Sequence, residues 1–271
     1  MTEIQKLMLS MFLHLRLGVG IIGLSLPLVL VFGGEALGVP FAGSMSAYYH
    51  ATPQCALPQC DKGGNVLDQK CQRAAQKCQE VDGKCQKVEQ KVEDGRGPMR
   101  NWFVGNLFFI GAAMFLMKGF SNWENWALNL AGLAAPCVAL FPMEWPCRTS
   151  AFSIHSFHFP AAITFFLSAG FTCIFCSEKT LRQIPDPSPA DEKKIAIFRA
   201  VYRLLGIAMV ALPVLAWIFA YNSGHLGFWL EMAGVVAFGS YWLVKTAELH
   251  WSQVEHKALT GELEMNPRTL M

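Results

Sequence analysis

The chain is predicted to be all-α: a polytopic transmembrane helical bundle of about six spans, with a cysteine-rich amphipathic helix held outside the membrane between spans one and two. Three observations predict it. Of 271 residues, 53% are hydrophobic and only 15% are charged, against about a quarter in an ordinary soluble domain. The apolar residues gather into runs almost free of charge, and mean hydropathy is +0.31. Between the first two runs lies a polar stretch with heptad spacing and recurrent cysteine.

A hydrocarbon core of about 30 Å needs roughly 17–25 helical residues per crossing. Six stretches qualify. Leu17–Gly34 follows Arg16 and ends at Glu35, and Asn101–Met117 lies between Arg100 and Lys118. Trp126–Met143 is bounded by Glu124 and Glu144, and Ser156–Cys176 ends before Glu178. Leu204–Tyr221 follows Arg203, and Leu226–Val244 ends at Lys245 with one internal acid, Glu231. Internal Pro and Gly are tolerated because packed neighbours satisfy the freed backbone groups. The first run also meets the description of a secretory signal peptide, with Lys6 and Arg16 before an apolar stretch; cleavage would leave five spans. The chain divides into an N-terminus and first span (1–34), an external loop (35–100), spans two to six (101–246) and a tail (247–271).

Lys and Arg in short loops set orientation. Lys179, Arg182, Lys193, Lys194, Arg199 and Arg203 place the connection between spans four and five in the cytoplasm. Lys6, Arg16, Lys118, Lys245, Lys257 and Arg268 fall on the same side, so both termini are expected in the cytoplasm of a bacterial inner membrane. The net charge of +2 and dispersed basic residues argue against a nucleic-acid partner. Membrane lipids are the expected surroundings.

Cys55, Cys60, Cys71, Cys78 and Cys85 fall in the first external loop and Cys147 in the next. An even number of cysteines in an oxidising compartment reads as a disulfide framework. Cys137, Cys173 and Cys176 fall within spans and read as buried small residues. Leu67, Cys71, Ala74, Cys78, Val81, Cys85, Val88 and Val92 are spaced 4-3-4-3-4-3-4. That is a heptad seam, and it predicts a helix over about Val66–Val92, weakened by Gly83. Cysteines seven apart on a helix are separated by about 10.5 Å, beyond the roughly 7 Å limit for a disulfide. Cys71, Cys78 and Cys85 must then find partners in Cys55, Cys60 and Cys147, or across a seam between two copies. A thiolate-lined copper(I) site is a third option.

Polar residues converge on the outer leaflet. His50 follows span one, His155 and His158 open span four, and His225 opens span six. Glu231 lies roughly 7–8 Å below the outer end of its span, and Asn106 lies at similar depth beside Arg100 and Asn101. Ser44, Ser46, Tyr48 and Tyr49 precede His50. An acid in an apolar run needs a partner, and His50, His158 or Arg100 could supply it for Glu231. Interfacial anchoring is the plain alternative for each histidine.

Ser44–His50 (SMSAYYH), Met99–Gly105 (MRNWFVG), Leu128–Leu140 (LNLAGLAAPCVAL) and Trp242–Lys245 (WLVK) resemble an uncharacterised family of bacterial multi-pass membrane proteins of the S-x-S-x-Y-Y, R-D-x-F-V-G type. Arg100-Asn101 stands where that family has Arg-Asp. The resemblance implies fold and location. Ser46-x-x-x-His50 with a later histidine pair is also similar, in part, to the ceramidase-like membrane hydrolase superfamily. That similarity implies zinc held by His50, His155 and His158, Ser46 as a polarising donor, and lipid-amide hydrolysis. Here the histidine pair is H-x-x-H, and Glu231 would replace the acid that Asn101 lacks, giving Ser46, Glu231, Asn101 and Arg100 as candidate catalytic residues. Two other classes stand beside a hydrolase. One is a noncatalytic accessory or assembly protein whose external helix docks a membrane-protein partner. The other is a small transporter.

Overall fold

The computed structural model describes residues 3–53, 55, 79–81, 84–86, 97–143, 157–184, 187–219, 225–254 and 256–257. Their regular secondary structure is helical apart from one small hairpin. Helix α1 spans Glu3–Ala36, α2 Arg100–Leu116, α3 Asn122–Leu140 and α4 His158–Phe171. A π-helical turn, Thr172–Cys176, joins α4 to the short α5, Ser177–Leu181; α6 spans Pro189–Phe219 and α7 Leu226–Ser252. Among the described residues, four helical segments are long and apolar enough to cross a membrane: Glu3–Ala36, His158–Leu181, Pro189–Ala216 and Leu226–Ser252. The 17-residue α2 and the 19-residue α3 are about 25 and 28 Å long at 1.5 Å per residue.

The six long helices close a ring. Helix α1 packs on α2, α2 on α3, α3 on α4, α4 on α6, α6 on α7, and α7 back on α1. Small residues let the backbones approach, as packing between apolar helices in lipid requires. On α3 the buried face is Ala127, Ala131, Gly132, Ala134 and Ala135, whereas Trp123, Trp126, Leu130 and Leu133 point outward. A Cβ on Gly132 would stand 2.8 Å from both the Gly111 carbonyl oxygen and the Phe115 nitrogen of α2. Gly239 of α7 meets α1 as closely, its Cβ position lying 2.9 Å from the Leu24 nitrogen and 3.0 Å from the Gly20 oxygen.

Two buried clusters lie along the ring axis. One is built on Met114, Leu128, Phe165, Tyr202, Phe238 and Trp242. The other contains Leu30, Met45, Tyr48, Met99, Phe103 and Phe228, and it owes its shape to the chain after α1. Gly38 closes α1 at φ +76°. Val39 N–H donates to Gly34 O and Gly38 N–H to Glu35 O, the paired bonds of a Schellman stop. Residues 39–51 then fold back over the bundle end, with a 3-10 turn at Ser46–Tyr49. Phe228 N–H donates to Gly43 O and Gly97 N–H to Tyr49 O, tying this segment to α7 and to the start of α2.

Two helices run beyond their apolar spans, and one expectation is corrected. The cationic connection between spans four and five is largely helix, because α6 begins at Pro189 and carries Lys193, Lys194, Arg199 and Arg203. The expected tail begins in helix, since α7 continues to Ser252. Within the heptad stretch, Gln79–Val81 (β1) and Lys84–Gln86 (β2) pair as antiparallel strands, with Val81 opposite Lys84. Asp82-Gly83 lies between them in sequence, a dipeptide that favours two-residue hairpin loops and costs helix stability. The rest of the expected helix, 66–92, lies outside the described residues, as do Cys60, Cys71, Cys78, Cys147 and His155.

Candidate functional site

The folded-back segment brings polar side chains from four parts of the chain to one end of the ring. Val138 sits in the last turn of α3, and the residue four positions on is Pro142, which has no N–H to offer its carbonyl. His158, opening α4, supplies the donor. Its Nδ1 lies 3.1 Å from Val138 O and 3.0 Å from Phe141 O. Carbonyl oxygens only accept, so Nδ1 carries the proton and the neutral ring presents Nε2 as an acceptor. Ser46 Oγ stands 2.9 Å from that nitrogen and donates to it. His158 is buried (2% exposed) whereas Ser46, at the start of the 3-10 turn, keeps partial access.

Glu231 fixes the loop that carries Ser46. Its carboxylate accepts from Ser44 Oγ at 2.9 and 2.8 Å and from Met45 N–H at 2.8 Å. Ser44 Oγ in turn accepts from Ser46 N–H at 3.1 Å. The expected partners of Glu231 were His50, His158 or Arg100; the structure gives it a hydroxyl and a backbone amide instead. Arg100 opens α2 with its guanidinium 5.0 Å from the centre of the Tyr49 ring. The Tyr49 ring also packs edge-on against His50, with ring centres 4.7 Å apart.

Other expected members stand apart. Asn101 is exposed on the first turn of α2. Asn106 is satisfied locally, donating to Trp102 O at 2.7 Å. His225 packs against Phe41, ring centres 4.9 Å apart. Among the described residues no group of three His, Cys, Asp or Glu side chains could hold a metal ion, and both nitrogens of His158 face protein partners. His155, the third ligand of the implied zinc, lies outside the described residues, and no chemical step is routed through a metal. Cys137, Cys173 and Cys176 are free thiols, the last two within the π-helical turn; Cys55 is buried beside Thr52, to whose carbonyl its N–H donates.

The opposite end of the ring holds a cluster that the sequence reading did not foresee. Lys245 Nζ donates to Glu248 Oε2 at 2.6 Å and to the Thr180 hydroxyl, and Tyr202 OH donates to the same Glu248 oxygen at 2.8 Å. Lys245 is 3% exposed and Glu248 fully buried. Ser177 bridges Tyr241 OH at 2.9 Å and the Thr172 carbonyl at 3.2 Å, the latter five residues back across the π-helical turn. Arg16 and Glu124 are buried as well, so four buried ionisable residues sum to zero formal charge. The signal was Lys245-x-x-Glu248 at i,i+3, obscured because helix α7 was expected to stop at Val244.

Comparison with models of known protein families, with curated proteins and with solved structures finds no match to this chain.

Proposed function

We propose that the protein is a membrane-embedded hydrolase whose Ser46–His158 pair cleaves an ester or amide bond of a lipid-like substrate at the outer leaflet. The observation that carries the reading is the Ser46–His158 hydrogen bond with the imidazole locked by two carbonyls. A nucleophile within hydrogen-bond reach of a base, itself oriented by a third group, is the signature of covalent acyl transfer. In the first step Ser46 Oγ attacks the acyl carbon while His158 Nε2 takes the hydroxyl proton. The imidazolium then returns that proton to the departing oxygen or nitrogen, leaving an acyl-serine. Water, deprotonated by the same nitrogen, releases the acid and restores Ser46. The two carbonyls at Nδ1–H stabilise the transient imidazolium, and Glu231 positions the loop.

The reading places all six ring helices across a bacterial inner membrane, with both termini cytoplasmic and residues 35–100 outside. Support comes from the ring closure, from the outward-facing large apolar side chains and from the cationic start of α6. The external cysteines are then paired as disulfides. A fluorophosphonate probe applied to the purified protein tests the chemistry: labelling at Ser46, lost in Ser46→Ala and strongly slowed in His158→Gln, is expected. An unlabelled Ser46 in folded protein overturns the serine mechanism, and stoichiometric zinc lost in His158→Ala would put the metal-dependent mechanism in its place. The accessory reading gains if deletion of 56–96 abolishes capture of a defined membrane partner while Ser46 stays unreactive.

A further inference from the structure

We infer that Arg100 forms a subsite for a phosphate-type anion, carried by a lipid headgroup or free in solution, beside the Ser46–His158 pair. The inference rests on the hydrolase reading for its meaning and on Arg100 for its geometry. The guanidinium is held over the Tyr49 ring at 5.0 Å, and its Nε is shielded from water with no hydrogen-bond partner. Among the described residues the ion pairs join Glu178 to Arg182, Arg199 and Arg203, and Lys245 to Glu248; none involves Arg100. Glu231, the acid that holds the folded-back segment, is committed to Ser44 and Met45. Among the described residues, then, no carboxylate is paired with this fixed cation. The first turn of α2 holds no acid and its cap makes no side-chain bond, so no side chain there offsets the positive end of the helix dipole.

Position ties this charge to the nucleophile. In a 3-10 helix side chains three residues apart eclipse, about 6 Å along the axis. Tyr49 therefore lies one turn from Ser46 on the same face, and Arg100 lies on Tyr49. In a phosphoglyceride the phosphate and the nearer acyl carbonyl are separated by one glycerol unit, a comparable reach. Arg is the side chain whose planar donors match phosphate oxygens.

Calorimetric titration of the detergent-purified full chain carrying Ser46→Ala, in which the ester probes stay intact, tests this with three probes: dihexanoyl phosphatidate, dihexanoyl glycerol and inorganic phosphate. The phosphatidate is expected to bind about ten- to a hundredfold tighter than the neutral lipid, the worth of one or two charge-assisted hydrogen bonds. In that background Arg100→Gln should erase the preference and Arg100→Lys should keep part of it. Inorganic phosphate binding as tightly as the phosphatidate would assign the subsite to a free anion; much weaker binding assigns it to a headgroup. Equal affinity for the two lipids, or a preference that survives Arg100→Gln in folded protein, overturns the inference. Because no turnover is read, an unreactive Ser46 with an intact phosphate preference would sink the hydrolase reading alone.

Discussion

Ser46 and His158 meet across 112 residues of chain, and the meeting depends on Glu231 and on the carbonyl that Pro142 leaves unpaired. Ser46→Ala or His158→Gln is expected to lower acyl hydrolysis by about 10²–10⁴-fold, the usual scale for a positioned base. Thermal unfolding of Ser46→Ala should shift little. Glu231→Gln turns an acceptor into a partial donor facing Met45 N–H and is expected to cost about 1–3 kcal/mol, read as a lower unfolding temperature together with reduced probe labelling at Ser46. At the other end, Lys245→Met strands the buried Glu248 carboxylate and should cost about 3–5 kcal/mol, whereas Lys245→Met with Glu248→Leu should recover most of it. A single variant as stable as the double would contradict the buried pair. Tyr48, in the folded-back segment, has its phenol pushed above the usual 10.0 by burial. Its stabilisation is therefore present below pH 10 and lost as pH rises through the higher folded value. Unfolding midpoints should fall in strong alkali, and fall less in Tyr48→Phe.

At the scale of elements, α2 meets α3 and α1 meets α7 with backbone close against backbone. Gly132→Ala would force its methyl to 2.8 Å from two backbone atoms of α2, which no rotamer change relieves. We expect about 1–3 kcal/mol of destabilisation, whereas Leu133→Ala on the exposed face of α3 should cost little in detergent. Reversal of that order, measured by unfolding in mixed micelles, would argue against this α2–α3 crossing. The helix ends were harder to read from sequence than the helices themselves. Each of the six apolar runs coincides with a helix because hydropathy and the 3.6-residue repeat are properties of the run itself. The charges of Lys193–Arg203 mark the edge of an apolar run, but helix formation does not stop at such an edge, and α6 begins at Pro189. The heptad over 66–92 was read as helix by its period, yet at Gln79–Gln86 strands form around Asp82-Gly83.

Across the whole molecule, the ring has one polar cluster at each end and small residues between them. Cysteine-accessibility labelling in intact cells should find Ser44→Cys reactive from outside and Gln253→Cys protected, given both ends of α7 and its 27-residue length; the opposite pattern would invert the proposed orientation. Composition and periodicity alone determined that the chain is helical and apolar enough to span a membrane, because those properties are summed along the chain. They also placed Ser46, His158 and Glu231 near one end. Tertiary structure decided which of them touch. It paired Glu231 with Ser44 rather than with a cation, turned His158 toward Ser46, and gathered Lys245, Glu248, Tyr202 and Thr180 from three helices into one buried network. Such pairings follow from the rotation of each helix about its axis and from where the chain folds back after Gly38, quantities set by packing around a closed ring rather than by any local run of residues.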